Sequence, residues 1–353
     1  MPTPEVTADP RAAADVLRAG GLVGLPTETV YGLAALATDA GAVRRVFAVK
    51  GRPVDHPLIV HLPDATHVAR WADPVPDALA PLAAALWPGP LTVVVRAAAH
   101  VLPEVTGGRP TVALRVPAHP LALEVLGVLD DGIAAPSANR FGRVSPTCAA
   151  DVVADLDGDV DLVLDGGPCD VGVESTIVDL SGDVPEVLRT GAVSADEVAR
   201  IVGGEVRSWS GDGAARAPGM LAAHYAPTAQ VLVADDVAGA LQVLGAVAGP
   251  GRLAGATTPR RVALLAGTAE QLDALAAGLA DAEGPDTVAP EVVALEPVGG
   301  PDGFAHHLYA RLRQADRLGC AAVVVVAPPA TGVGVAVRDR LARAASGSAS
   351  PPR

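Results

Sequence analysis

A chain of 353 residues is long enough for two ordinary domains and a linker. Half of its residues are hydrophobic and only 3% are aromatic, so any core must be aliphatic, built from Ala, Val and Leu. A formal net charge of -14 argues against a broad nucleic-acid-binding face, which needs clustered Lys and Arg, but leaves room for a local pocket that takes a small anion.

Along the first 206 residues, short apolar runs alternate irregularly with helical patterns. "GGLVGLP" (20–26), "PLIVHL" (57–62), "LTVVVRA" (91–97), "TVALRVP" (111–117), "IAAPSAN" (133–139), "LVLDGG" (162–167) and "STIVDL" (175–180) predict strands. "DPRAAADVLRAG" predicts a helix capped by Asp9 and closed at Gly20, and "DAGAVRRVFAVKG" one that ends at Gly51. "ALAPLAAALWPG" predicts a third, stopping at Pro88-Gly89. The uneven spacing predicts a mixed sheet. Residues 207–229, rich in Gly, Ser, Ala and Pro, read as a linker, yet they carry Met220, His224 and Tyr225, which a plain spacer does not need.

From 230 to 345 the pattern is regular. The strands "QVLVADD", "RRVALLAG", "EVVALEP" and "CAAVVVVAPP" alternate with four helical segments, which predicts a smaller, doubly wound parallel α/β domain. "GVGVAV" (332–337) lacks the third glycine of a dinucleotide fingerprint. Residues 346–353 read as a disordered tail. Cys148, Cys169 and Cys320 form no C-x-x-C pair, which speaks against a disulfide framework or a zinc site. There is no basic-then-apolar leader, and the apolar runs are too short to span a bilayer. The expectation is a soluble, cytoplasmic protein with no membrane partner.

Five polar clusters stand out. "LPTETVYGL" (25–33) offers Thr27, Glu28, Thr29 and Tyr31, either as a helix-capping turn or as hydroxyl donors at a strand's carboxyl end. Lys50, Arg52, His56 and His61 fall within twelve positions, and Lys50 is the sole lysine of the chain. A compact ammonium beside a forked guanidinium suits a polyphosphate, although a solvated basic helix end has the same composition. "APSANRFGRVSPT" (135–147) supplies Ser137, Asn139, Ser145 and Thr147; "GVESTIVDL" (172–180) and "VLRTG" (187–191) add further hydroxyls and Arg189. Together they predict a hydroxyl-rich, locally cationic pocket suited to placement and charge stabilisation, as in nucleotidyl or phosphoryl transfer. Glu28, Glu174 and Asp179 could ligate magnesium or be structural.

In this order and spacing, the five clusters resemble the YrdC/YciO-like family. The linker "APGMLAAHYAPT" and the ending "GVGVAVRDRLARAA" look like its longer, two-domain members. The resemblance implies a YrdC-like catalytic α/β domain over 1–206, a linker over 207–229 that closes over the active site, and a C-terminal α/β domain over 230–345. It implies the activity of L-threonylcarbamoyladenylate synthase, a nucleotidyltransferase. L-Threonine, bicarbonate or CO2, and ATP with Mg2+ would give threonylcarbamoyl-AMP and pyrophosphate. The product would pass to a threonylcarbamoyl transferase complex acting on tRNA, with direct tRNA binding weak or absent. Thr29, His61, Arg115, Ala135 and Ser175 are implied around L-threonine. Arg52, His56, Thr111, Ser137, Asn139, Ser145, Arg189 and Tyr225 are implied around ATP. Lys50 and Arg52 are assigned to the catalytic charge on the phosphates, and no metal ligand is assigned. His56 stands where many relatives carry Asn. An RNA-binding or regulatory relative, or a carbamoyl-transfer domain, is the alternative.

Overall fold

The computed structural model describes residues 3–209, 216–219, 225–248, 261–281 and 291–348. It forms two compact units, one made of 1–141 with 145–221, the other of 142–144 with 222–353.

 The strands of the first unit are β1 (Glu5–Thr7), β2 (Val23–Leu25), β3 (Gly32–Leu36), β4 (Ile59–His61), β5 (Leu91–Arg96), β6 (Thr111–Arg115), β7 (Ile133–Ala134), β8 (Leu162–Leu164), β9 (Thr176–Asp179), β10 (Glu186–Arg189) and β11 (Arg207–Ser208). They form one sheet in the order β1-β8-β2-β3-β7-β4-β6-β5-β9-β10-β11. Parallel and antiparallel pairs mix within it, as the uneven spacing predicts.

The helix Pro10–Arg18 starts where Asp9 accepts the Arg11 N–H, and Ala40–Lys50 starts where Asp39 accepts those of Gly41 and Ala42. Leu79–Leu86 falls inside the third predicted segment. Pro120–Leu129, Ala149–Leu156 and Ala195–Val202 lie outside the segments picked out by periodicity. The first of these is apolar nearly all round, which hides its face from a periodicity argument. The predicted strand at 133–139 shortens to β7, because Pro136 has no N–H to give a ladder.

Strand alternation decides where a site can lie. On β4, β5, β6 and β9, Val60, Leu91, Val93, Val95, Val112, Leu114 and Val178 share one core with Leu79, Leu82 and Val198 of two helices. The opposite phase carries His61, Thr92, Thr111, Arg115 and Asp179, interspersed with Ile59, Val94, Ala113 and Ile177. That second face packs against Ala217 and Trp209 of the segment read as a linker.

The second unit has four strands among its described residues: β12 (Gln230–Ala234), β13 (Arg261–Leu265), β14 (Glu291–Ala294) and β15 (Ala322–Val326). All pairs are parallel, in the order β12-β15-β13-β14. One phase of the strands packs on the helices Val237–Ala248 and Ala269–Asp281. The helices Pro301–Arg317 and Gly334–Ser348 pack on each other and on β15 and β12. The last helix runs through Ser348, which corrects the expectation of a tail from 346: the Ser346 and Ser348 hydroxyls bond back to the Ala342 and Ala345 carbonyls, and Ser348 also accepts the Val231 N–H. Met220, His224 and residues 349–353 lie outside the described residues.

Candidate active site

The five polar clusters, scattered over some 160 positions of sequence, are laced together by backbone and side-chain bonds within the first unit. Tyr31 N–H donates to Pro146 O, Leu33 N–H to Pro136 O, and Ala138 N–H to Tyr31 O. These tie "PTETVYG" to "PSANRFGRVSPT". Val171 N–H donates to Glu28 O, joining the first cluster to the approach of "GVEST". The Ser145 hydroxyl donates to Glu174 Oε1 at 2.7 Å. Arg189 donates from Nε to Ser175 O and from Nη2 to Ser175 Oγ, both at 3.1 Å. The last cluster closes on the fourth because residue 191 is glycine: a Cβ there would stand 2.4 Å from Thr176 N and 2.6 Å from Glu174 O.

Arg115 and His61 are register partners on β6 and β4. Arg115 Nη2 donates to Glu28 Oε1 at 2.7 Å and Nε to Gly89 O at 3.2 Å. The other Glu28 oxygen accepts the Ala118 N–H at 3.0 Å. Both side chains are buried. Burial alone pushes the Glu28 carboxyl up, but Arg115 and the Ala118 N–H outweigh it and hold the group below its ordinary 4.5. Burial, aided by Arg115, drives His61 down to about 3, so its imidazole is neutral. Ala135 N–H donates to Ile59 O, and the chain at Ala135 lies so close to β3 that a Cβ on Gly32 would be 2.9 Å from the Ala135 Cβ. Thr29 is buried in a hydroxyl pair with Thr27, 2.9 Å apart. Thr92, a residue the sequence reading passes over, places its Oγ1 2.7 Å from Ser175 Oγ. Its position inside an apolar strand gives no local signal.

Arg52 Nη2 donates to Pro57 O, and its guanidinium lies 6.0 Å from the centre of the Phe141 ring. His56 stacks obliquely on the same ring at 5.7 Å. Burial first, then Arg52, lowers the His56 pKa below 6.5. A bound polyphosphate would pull it back up. ATP affinity is therefore expected to tighten more steeply with falling pH, below about pH 6.5, than in a His56→Asn variant. Calorimetric titration of both proteins between pH 5.5 and 8 checks this, and superimposable profiles would refute it.

Lys50 Nζ, 3% exposed as a residue, donates to Ser137 O and Asn139 O, each at 2.5 Å. Thr111 opens β6, four residues and about 13 Å from Arg115 by strand rise. Tyr225 belongs to the second unit, where its ring packs on Tyr309 at 5.7 Å and lies under the Arg340 guanidinium. Tyr31 is fully buried and bonds Gly166 N and Gly167 O, so it braces a loop. Of the three acidic candidates, Glu28 pairs with Arg115, Glu174 accepts from Ser145, and Asp179 pairs with Arg216. Among the described residues no group of three His, Cys, Asp or Glu could hold a metal ion.

The linker's first stretch belongs to this face. Arg216 pairs with Asp179 at 3.0 Å and also with Glu186, Ala217 is buried among Ile59, Val94, Ala113, Ile177 and Leu188, and Pro218 O accepts Arg189 Nη1.

Residues 15–191 match the Sua5/YciO/YrdC family, described as "Telomere recombination", and residues 193–346 match "Threonylcarbamoyl-AMP synthase, C-terminal domain". The chain belongs to this family. It is similar to the threonylcarbamoyl-AMP synthase of Pyrococcus abyssi, 37% identical over 95% of this chain and 93% of that one. It is also similar to that of Bacillus subtilis, 35% identical over 97% and 94%. The crystal structure of P. abyssi Sua5 complexed with L-threonine matches with a TM-score of 0.83 and 34% identity, covering 98% of each chain. The two-domain α/β architecture of the family is thus present throughout. Among the described residues no helix is long and apolar enough to cross a membrane.

Proposed function

We propose that this chain is a threonylcarbamoyl-AMP synthase: L-threonine, bicarbonate and ATP give threonylcarbamoyl-AMP, pyrophosphate and water, the first step of threonylcarbamoyladenosine formation in tRNA. The observation that carries this reading is the sheet face on which Arg115, His61, Thr92 and Ser175 meet Arg189, in a chain similar over its whole length to one crystallised with L-threonine.

In this reading, Arg115 takes the threonine carboxylate, with Thr29, His61, Ser175 and the backbone at Ala135 around the rest of the molecule. The threonine amine forms a carbamate, releasing water, and a carbamate oxygen attacks the α-phosphorus of ATP. Pyrophosphate leaves, which makes the enzyme a nucleotidyltransferase. Arg52, His56, Thr111, Ser137, Asn139, Ser145, Arg189 and Tyr225 are the groups we assign to ATP. Negative charge moving onto the leaving pyrophosphate calls for fixed cationic donors, and Arg52 and Arg189 are buried ones. The carbamate and the mixed anhydride are both labile in water, so the site must exclude it. Ala217 and Pro218, seated on the same face, are suited to that role. Magnesium would arrive with the triphosphate, keeping most of its own waters, since Glu28 and Glu174 are already engaged by Arg115 and Ser145. The product would then pass to a transferase acting on tRNA, in the cytoplasm.

Purified protein incubated with ATP, magnesium and radiolabelled L-threonine tests the reading. Labelled adenylate and pyrophosphate should form only when bicarbonate is added. Folded protein that binds ATP yet makes no adenylate would reject it.

A further inference from the structure

The chain's one lysine ends the helix Ala40–Lys50, and both of its short hydrogen bonds go to backbone carbonyls of Ser137 and Asn139. Those are two of the residues assigned above to ATP. The same junction is closed from the backbone as well. Phe141 N–H donates to Lys50 O at 2.8 Å, and Arg140 Nη1 donates to Val49 O. The helix end and the 137–141 loop are therefore joined four times within a few residues.

We propose that Lys50 is a positioning residue that fixes the nucleotide-binding loop by its Ser137 and Asn139 carbonyls and does not itself bond the phosphates that leave as pyrophosphate. This rests on the nucleotide reading of the loop given under Proposed function. It also accounts for the residue type. A tetrahedral ammonium can direct two donors at two converging carbonyls in a space with 3% exposure, whereas a planar guanidinium carries five donors and needs acceptors for all of them.

The two roles separate by ligand. A lysine on the leaving β- and γ-phosphates governs ATP and pyrophosphate, while a lysine that shapes the loop governs AMP and ATP alike. Binding of ATP, AMP and pyrophosphate is measured by calorimetry on the full chain and on Lys50→Met. AMP and ATP should both weaken by about tenfold or more, and pyrophosphate should stay within about twofold, since the lost bonds are charge-assisted contacts to the loop. Unchanged AMP binding with weakened ATP and pyrophosphate would overturn the proposal. Should Lys50→Met not fold, the wild-type chain still gives the answer. Labelled with [13Cε]lysine, it has a single lysine resonance, whose titration should not move when pyrophosphate is added; a rise in its pKa would place the ammonium on phosphate and overturn the proposal. Wild-type protein that binds pyrophosphate but neither AMP nor ATP would instead remove the nucleotide reading of the loop, and this proposal with it.

Discussion

Arg115→Met should cost about 3–5 kcal/mol of stability and abolish measurable threonine binding, because it leaves the Glu28 carboxylate buried and unpaired. The penalty belongs chiefly to the stranded charge. Glu28→Gln in the same chain keeps an acceptor for the Ala118 N–H and removes that charge, so the double variant should regain a large part of the loss. Denaturant melts of the four proteins in the cycle check this, and additive single effects would contradict it. The pH dependence has a definite sign. In the wild type the Glu28 pKa is depressed, so its contribution is present above 4.5 and fades as pH falls through the folded value. In Arg115→Met the same carboxyl, buried without its cation, moves up and accepts a proton more readily. The stability gap between wild type and variant should therefore narrow as pH drops below about 4.5. A gap that widens there would refute the assignment.

Arg189→Met should lower kcat/KM by about 100-fold or more while leaving the chain folded. Arg189 spends three donors on Ser175 O, Ser175 Oγ and Pro218 O. It thus holds a threonine-side hydroxyl, the linker at Pro218 and, in our reading, the departing phosphates together. Loss of both positioning and charge stabilisation should appear in kcat as well as in KM. A variant within threefold of wild type by steady-state kinetics, at unchanged melting temperature, would exclude Arg189 from the machinery; such a small change is roughly the scale of a neutral surface substitution.

The first helix was legible from Asp9, whose side chain makes a local bond that two positions of sequence specify, and the second from its end at Gly51, which takes the left-handed conformation there. The parallel domain was legible from its regular strand-helix alternation, and the family from five ordered motifs. What escaped the sequence is nonlocal. β1 is three residues long and exists only because β8 pairs with it. "GLAAL" (32–36) carries no β-branched residue, yet β2 and β7 make it a strand. Glu28 finds Arg115 across 87 positions, and Thr92 finds Ser175 across 83. Lys50 looked like a phosphate charge from its neighbours in sequence, while its bonds run to carbonyls 87 and 89 positions away. In each case the sheet order brings the partners together, and local pattern carries no record of it.

In the proposed reaction one site joins threonine, a one-carbon acid and an adenylate. Mass spectrometry of a reaction with [13C]bicarbonate, L-threonine, ATP and magnesium tests it most directly. Threonylcarbamoyl-AMP should carry the heavy carbon, with pyrophosphate released in step and neither product formed when threonine is omitted. An adenylate without the heavy carbon, or pyrophosphate release indifferent to threonine, would contradict it.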